Sequence, residues 1–212
     1  MSRTAGATVF KAETMDRAQL QDVAEAARLG KVIAFPTDTV YGLGSSAFDE
    51  AAIKRIYRIK GRPEGKPLPL LVHSIDAARP WMEWNRAAEA LSRRFWPGGL
   101  TLILRSSVEG RRLPFSPDTL AVRVPNHPLL QKTIELSGCP WASTSANRSG
   151  APALVEGTQV VASFEGLVDY IIDGKRAPGT ESTLVDATRT PAAVLRSGCI
   201  SLSRINEVLS HG

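Results

Sequence analysis

Residues 31–44 read KVIAFPTDTVYGLG. The opening KVIAF has the length and apolar character of a buried strand. It leaves through two threonines, an aspartate, a tyrosine and two glycines, a denser set of polar groups than a plain turn requires. Thr37 and Asp38 equally suit a simple turn, so the meaning of this stretch depends on its surroundings. Upstream, Asp16 is placed to cap a helix whose apolar positions Leu20, Val23, Ala24 and Ala27 follow helical spacing, with Gly30 as its stop. Downstream, Asp49 can cap EAAIKRIYRIK (50–60), with Ile53, Ile56 and Tyr57 facing inward, before Gly61 and Pro63 end it. Strands are expected at PLLVH (69–73), GGLTLILR (98–105), TLAVRV (119–124), PWASTSAN (140–147, running into a polar loop), DYIID (169–173), STLVDA (182–187) and AAVLR (192–196). Helices are expected around 75–84 and 86–95, at HPLLQKTIEL (127–136) and from Ser203. Because the late strands lack helices between them, the expected class is α/β with one twisted mixed sheet and flanking helices. A single domain over 1–212 is expected, with RSSVEGRRLPFSPD (105–118) as the candidate mobile loop.

Composition narrows the options. With 212 residues, 43% of them apolar and 22% charged, the chain can bury a sizeable core and is not a disordered polymer. No apolar run near the N-terminus resembles a signal peptide and none approaches membrane-spanning length. Two cysteines, Cys139 and Cys199, suit reduced thiols, so a cytoplasmic location is expected. Formal net charge is +5 with a pI near 9.5. Six basic residues (Lys54, Arg55, Arg58, Lys60, Arg62, Lys66) and Glu64 fall within 54–66, and six minus one equals that whole net charge. Such a knot looks more like a local anion site than a broad nucleic-acid surface. For Lys54, Arg55 and Arg58 a solvated helix face is the plain alternative.

Ligands in α/β folds gather at strand ends, which singles out Thr37 to Thr39, the end of STSAN, His73 and Arg196. Arg123 lies inside an apolar strand and needs a partner if its charge is buried. No phosphate-binding GxxxxGK[ST] loop, no strand–GxGxxG–helix unit and no GxSxG elbow is present. His73, His127 and His211 are scattered, against a histidine-rich metal site. Cationic, hydroxyl and amide groups remain, which suit chemistry by positioning and charge neutralisation, as in nucleotidyl transfer.

Seven motifs stand in order: FPTDTVYGLG (35–44), YRIKGRPEGKPLPLLV (57–72), PGGLTLIL (97–104), LAVRVPNHP (120–128), STSANRSG (143–150), STLVDA (182–187) and VLRSG (194–198). Together, over about residues 15–200, they resemble the YrdC-like threonylcarbamoyl-AMP synthases. That resemblance implies a twisted α/β sheet with a deep, basic concave face, and a chain of the short, single-domain type. It implies synthesis of threonylcarbamoyl-AMP and pyrophosphate from L-threonine, bicarbonate or carbon dioxide, and ATP, feeding threonylcarbamoyladenosine modification of tRNA through a partner transferase. It assigns Thr39, His73, Arg123, Ser143 and Ser182 to threonine. To ATP it assigns Lys60, Arg62, Lys66, Thr119, Ser145, Asn147 and Arg196; many relatives carry asparagine where this chain has Lys66. Lys60, Arg62, Ser145 and Asn147 are the catalytic candidates, with Gly61 leaving room for phosphate oxygens near the backbone. No resident metal site is expected; Mg²⁺ would ride on the nucleotide. The alternative reading is a non-catalytic module that holds tRNA or double-stranded RNA on the same basic surface.

Overall fold

The computed structural model describes residues 6–63, 67–115 and 118–211. Lys66 therefore lies outside the described residues. Ten strands and seven α-helices are formed among them: β1 (Thr8–Lys11), α1 (Arg17–Arg28), β2 (Ile33–Phe35), β3 (Gly42–Ser46), α2 (Glu50–Lys60), β4 (Leu70–Leu71), α3 (Ile75–Ala78), α4 (Arg86–Phe95), β5 (Leu100–Arg105), β6 (Thr119–Arg123), α5 (Pro128–Ser137), β7 (Trp141–Ser145), α6 (Gly157–Phe164), β8 (Tyr170–Asp173), β9 (Thr183–Asp186), β10 (Ala193–Arg196) and α7 (Leu202–His211). All ten strands join one mixed sheet in the order β1-β8-β2-β3-β7-β4-β6-β5-β9-β10. Four pairs are parallel (β1/β8, β2/β8, β4/β6, β5/β9) and five antiparallel (β2/β3, β3/β7, β4/β7, β5/β6, β9/β10).

Local chemistry accounts for the helix ends. Asp16 and Gln19 form a reciprocal capping box at α1, and the Asp49 carboxylate accepts the Ala52 N–H at α2. Gly61 closes α2 in the left-handed conformation, at φ 61°. Three elements escape the sequence reading: β1, α6 and β3. The last matters most, because the glycines of VYGLG are not flexible linkers. A Cβ on Gly42 would sit 2.6 Å from Phe35 Cε2, and one on Gly44 3.0 Å from Phe35 Cε1. They are bare so that the ring of Phe35 can lie against the β3 backbone, its centroid 5.4 Å from that of Trp141 in an edge-on pair.

Side-chain parity sorts the two faces of the sheet. One face carries Ala34, Leu43, Leu70, Leu102, Val122, Ala142 and Val185, covered by α2, α4, α6 and α7 through Ile56, Leu91, Val160 and Ile205. The other is covered over only part of its width: α1 and α5 pack Val23, Ala27, Leu130 and Ile134 on Ile33, Phe35, Leu71, Trp141 and Ile172. Segment 105–115 is not free either. The Ser107 N–H donates to the Trp81 carbonyl at 3.1 Å, Arg111 pairs with Glu83 at 3.0 Å, and Leu113 is buried. That packing runs against the expectation of a mobile loop for its described part.

Candidate functional site

Where α1 and α5 stop, the same sheet face is open and forms a cleft of about 360 Å³. Its floor follows from pleat and register. Thr101 and Ile103 on β5, Thr119, Ala121 and Arg123 on β6, and Ser143 and Ser145 on β7 are alternate residues of their strands and all line it. Cross-strand partners continue the pattern: Ile103 faces Ala121, Thr101 faces Leu184, and Leu71 faces Arg123. The site thus lies across the sheet face, and not only at strand ends as the fold class suggested. Thr37, Thr39, Val40, Tyr41 and Gly42 close one wall, and Pro67, Pro69 and Arg62 another. PTDTVYGLG is a wall because its hydroxyls are locked. Thr37 Oγ1 donates to the Val40 carbonyl at 2.6 Å and accepts the Thr39 N–H at 3.0 Å, with Thr39 Oγ1 at 2.9 Å. Tyr41 then ties the wall to residues 174–175, accepting the Gly174 N–H at 2.9 Å while facing the Gly174 and Lys175 carbonyls. Its burial pushes the phenol up to about 12.

Arg123 is 7% exposed. Its guanidinium donates from Nε to the Gly98 carbonyl (3.0 Å), from Nη1 to Thr39 Oγ1 (2.8 Å) and from Nη2 to Asp38 Oδ1 (2.6 Å). Two of its five N–H groups have no partner among the described residues, and the side chain faces the cleft. Desolvation pulls its ionisation below the ordinary arginine value, with Asp38 opposing. Thr39, Ser143 and Ser182 line the same cleft, the Ser182 hydroxyl held 2.8 Å from Thr101 Oγ1 and 3.1 Å from Arg196 Nη2. Arg196 also pairs with Glu181 at 2.8 Å.

Of the residues the resemblance assigns to threonine, Thr39, Arg123, Ser143 and Ser182 line the cleft and His73 does not. His73 lies past the last paired residue of β4, near α5. There its charge adds weakly to the Lys132 bond that holds Glu135 below the usual carboxylate range. On the nucleotide side Arg62, Thr119, Ser145 and Arg196 line the cleft, whereas Lys60 and Asn147 do not. Lys60 is 3% exposed and spends its ammonium on the Ser145 carbonyl (2.6 Å), the Asn147 carbonyl (3.0 Å) and Asn147 Oδ1 (2.6 Å). The Asn147 amide is spent as well, donating to the Ala151 carbonyl at 2.5 Å and accepting from Ser145 Oγ at 2.7 Å. Burial, then the neighbouring charge of Arg62, lowers Lys60 to about 8. Lys60 and Arg62 therefore do not present a joint phosphate clamp in this geometry: one holds the 145–149 loop from behind, the other faces the cleft. Gly61 has a helix-ending conformation with open space around it, which is sufficient reason for glycine.

The basic knot disperses for the same helical reason. Lys54 pairs with Glu50 (2.7 Å), Arg55 with Asp169 and the Leu167 carbonyl, and only Arg62 of the described cations in 54–66 reaches the cleft. Among the described residues, the cleft's positive charge comes instead from three distant segments, through Arg62, Arg123 and Arg196, against Glu181. Thr101, Glu181 and the pairing of Asp38 with Arg123 escaped the sequence reading. Alternation within GLTLILR was a usable signal for Thr101; nothing local marks Asp38 as a partner of a strand 85 residues on. No group of three or more His, Cys, Asp or Glu that could hold a metal ion occurs among the described residues. Glu181 and Asp38 each already face a guanidinium. Among the described residues of the cleft, this donor set does not fit a resident Mg²⁺ site.

Comparison with known proteins is consistent in sequence and shape. A threonylcarbamoyl-AMP synthase of Pyrococcus abyssi is 44% identical over 187 residues, covering 87% of this chain and 55% of that protein. The structure of P. abyssi Sua5 complexed with L-threonine superposes with a TM-score of 0.86 at 40% identity, covering 97% of this chain and 60% of the other. E. coli YciO superposes with a TM-score of 0.85 at 27% identity, covering 95% of this chain and all of the other. The chain spans about half the length of several curated relatives that it matches. Residues 25–198 match the Sua5/YciO/YrdC family, described as telomere recombination. The chain belongs to the Sua5/YciO/YrdC family.

Proposed function

We propose that this cleft joins L-threonine, bicarbonate or carbon dioxide, and ATP into threonylcarbamoyl-AMP, releasing pyrophosphate by nucleotidyl transfer. One observation carries the reading: a desolvated arginine fork with two spare N–H groups, in a cleft also lined by the hydroxyl residues Thr39, Ser143 and Ser182 and, among the described residues, by the cations Arg62 and Arg196. A planar fork suits a carboxylate, and the hydroxyls of Thr39, Ser143 and Ser182 suit the amino and hydroxyl groups of threonine. The relatives bearing the synthase name, and the threonine complex of the Sua5 homologue, support the same assignment.

The chemistry needs no protein nucleophile. Threonine's amine adds to carbon dioxide, losing a proton and giving a carbamate. A carbamate oxygen attacks the α-phosphorus of MgATP, and the bond to the bridging oxygen breaks as pyrophosphate leaves. The residues supply shielding of the carbamate from water, in-line orientation, and charge neutralisation by Arg62 and Arg196. Thr119 and Ser145 complete the nucleotide side, while Lys60 and Asn147 act as positioning residues for the Ser145 loop. The product then serves a threonylcarbamoyl transferase that modifies tRNA in the cytoplasm. Incubation with labelled ATP, threonine and bicarbonate tests this, with pyrophosphate and threonylcarbamoyl-AMP as the expected products. Turnover unchanged when threonine or bicarbonate is omitted would rule the reading out. Salt-sensitive RNA binding without pyrophosphate release would favour the non-catalytic RNA-binding module instead.

A further inference from the structure

Arg123 is secured by three acceptors, of which only Asp38 is charged. Arg123 lines the cleft and Asp38 does not, so a ligand in the cleft meets the guanidinium and not the carboxylate. The side chains of the pair are 9% and 16% exposed. The turn that carries Asp38 is fixed independently by the Thr37 hydroxyl, which bonds the Val40 carbonyl and the Thr39 N–H. Orientation of the fork is thus already provided by the neutral Gly98 and Thr39 oxygens. What Asp38 alone adds is negative charge. At the effective dielectric of about 20 that suits partly buried pairs, one unit charge a few ångströms from a ligand carboxylate is worth roughly a factor of ten or more in binding.

We infer that Asp38 is the resident counter-ion of Arg123 and sets, through the guanidinium it holds, how tightly the cleft takes a ligand carboxylate. The inference rests on the proposed reading of the cleft as an amino-acid site. In the empty protein the pair is neutral, so the desolvated guanidinium stays folded inward without a ligand. In the occupied protein two carboxylates share one guanidinium, and their mutual repulsion holds the affinity down. The sign separates this role from others. A residue touching the ligand's ammonium would weaken binding when neutralised, and a purely structural residue would leave it unchanged.

Asp38→Asn keeps an acceptor oxygen and removes the charge. The variant is expected to melt lower than wild type when empty. By calorimetry at low salt it should bind L-threonine about tenfold more tightly, with L-threoninamide, which lacks the carboxylate, unchanged within twofold. Acetate is a second probe that does not depend on the amino-acid reading, and it should raise the melting temperature of the variant more than that of wild type. If Asp38→Asn fails to fold in plain buffer, acetate or threonine should restore folding. Weaker or unchanged threonine binding overturns the inference, as does failure of both carboxylates to stabilise the variant. Wild type that ignores threonine, with the acetate result as expected, would remove the functional reading and leave the counter-ion in place.

Discussion

Ser45 lies on β3 with its hydroxyl buried and no hydrogen-bond partner among the described residues. An unpaired buried hydroxyl costs free energy without return. Ser45→Ala is therefore expected to stabilise the protein by about 1 kcal/mol, raising the melting temperature by roughly 2–4 °C for a chain of this size. A lower Tm would mean that the oxygen has a partner, such as an ordered water. Arg123 presents a different case, because three of its N–H groups are paired within the protein and two are left for a ligand. Arg123→Ala is expected to weaken threonine binding by about 2–5 kcal/mol while ATP affinity barely moves. Parallel threonine and ATP titrations check this beside a melting curve, since the lost guanidinium also leaves Asp38 unpaired. Equal losses of both affinities in a folded variant would contradict the assignment.

The elements explain why two glycines of similar appearance serve different ends. Gly61 terminates α2 at positive φ, and a Cβ there would meet nothing within 4 Å, so its constraint is conformational. Gly61→Ala should cost about 1 kcal/mol, the penalty of a left-handed residue carrying a side chain. Gly42 has ordinary strand geometry, and its constraint is the Phe35 ring 2.6 Å from where a Cβ would stand. Gly42→Ala must displace that ring toward Trp141, costing about 1–3 kcal/mol by overpacking. Urea denaturation gives both values, and tryptophan emission, to which Trp141 contributes as one of four, should change only in Gly42→Ala. Unchanged emission with a stable Gly42→Ala protein would show that the ring yields elsewhere. Helical geometry also scatters the basic knot: a helix turns successive cations to different sides, so closeness in sequence from Lys54 to Lys60 is not closeness in space.

At the scale of the whole molecule, two buried groups shape stability at alkaline pH in opposite directions. Lys60 titrates near 8 in the folded protein against an ordinary value of 10.5. Between those values the unfolded chain holds more protons, so this group makes stability rise with pH from about 8 to 10.5. Tyr41 titrates near 12 against an ordinary 10, so the folded protein keeps its proton longer and stability falls between about 10 and 12. Urea denaturation at pH 7 to 11 should therefore show a rise above pH 8, of about 1–3 kcal/mol from Lys60, that bends over above pH 10. Lys60→Met should flatten the rise, and Tyr41→Phe should lessen the downturn, to which Tyr170, also raised by burial, adds in the same direction. A wild-type curve that falls steadily from pH 8 would show that Lys60 is not desolvated as its burial implies.

Strand and helix identities were legible wherever one face alone decided them. The caps at Asp16 and Asp49, the stop at Gly61, and the mixed sheet implied by consecutive late strands all follow from short-range chemistry. The ordered motifs carried the family as well, because their residues are spaced along the chain and not through space. Beyond that reach lay β3, since glycines suited to a neighbouring aromatic ring look like a loop until the ring is in place. The position of Lys60 was equally hidden: separated from Arg62 only by Gly61, it faces the protein while Arg62 faces the cleft. The Arg123–Asp38 pair belongs to tertiary structure altogether. A buried charge announces that it needs a partner, but which carboxylate meets it depends on how β6 and the turn after β2 are brought together by the sheet.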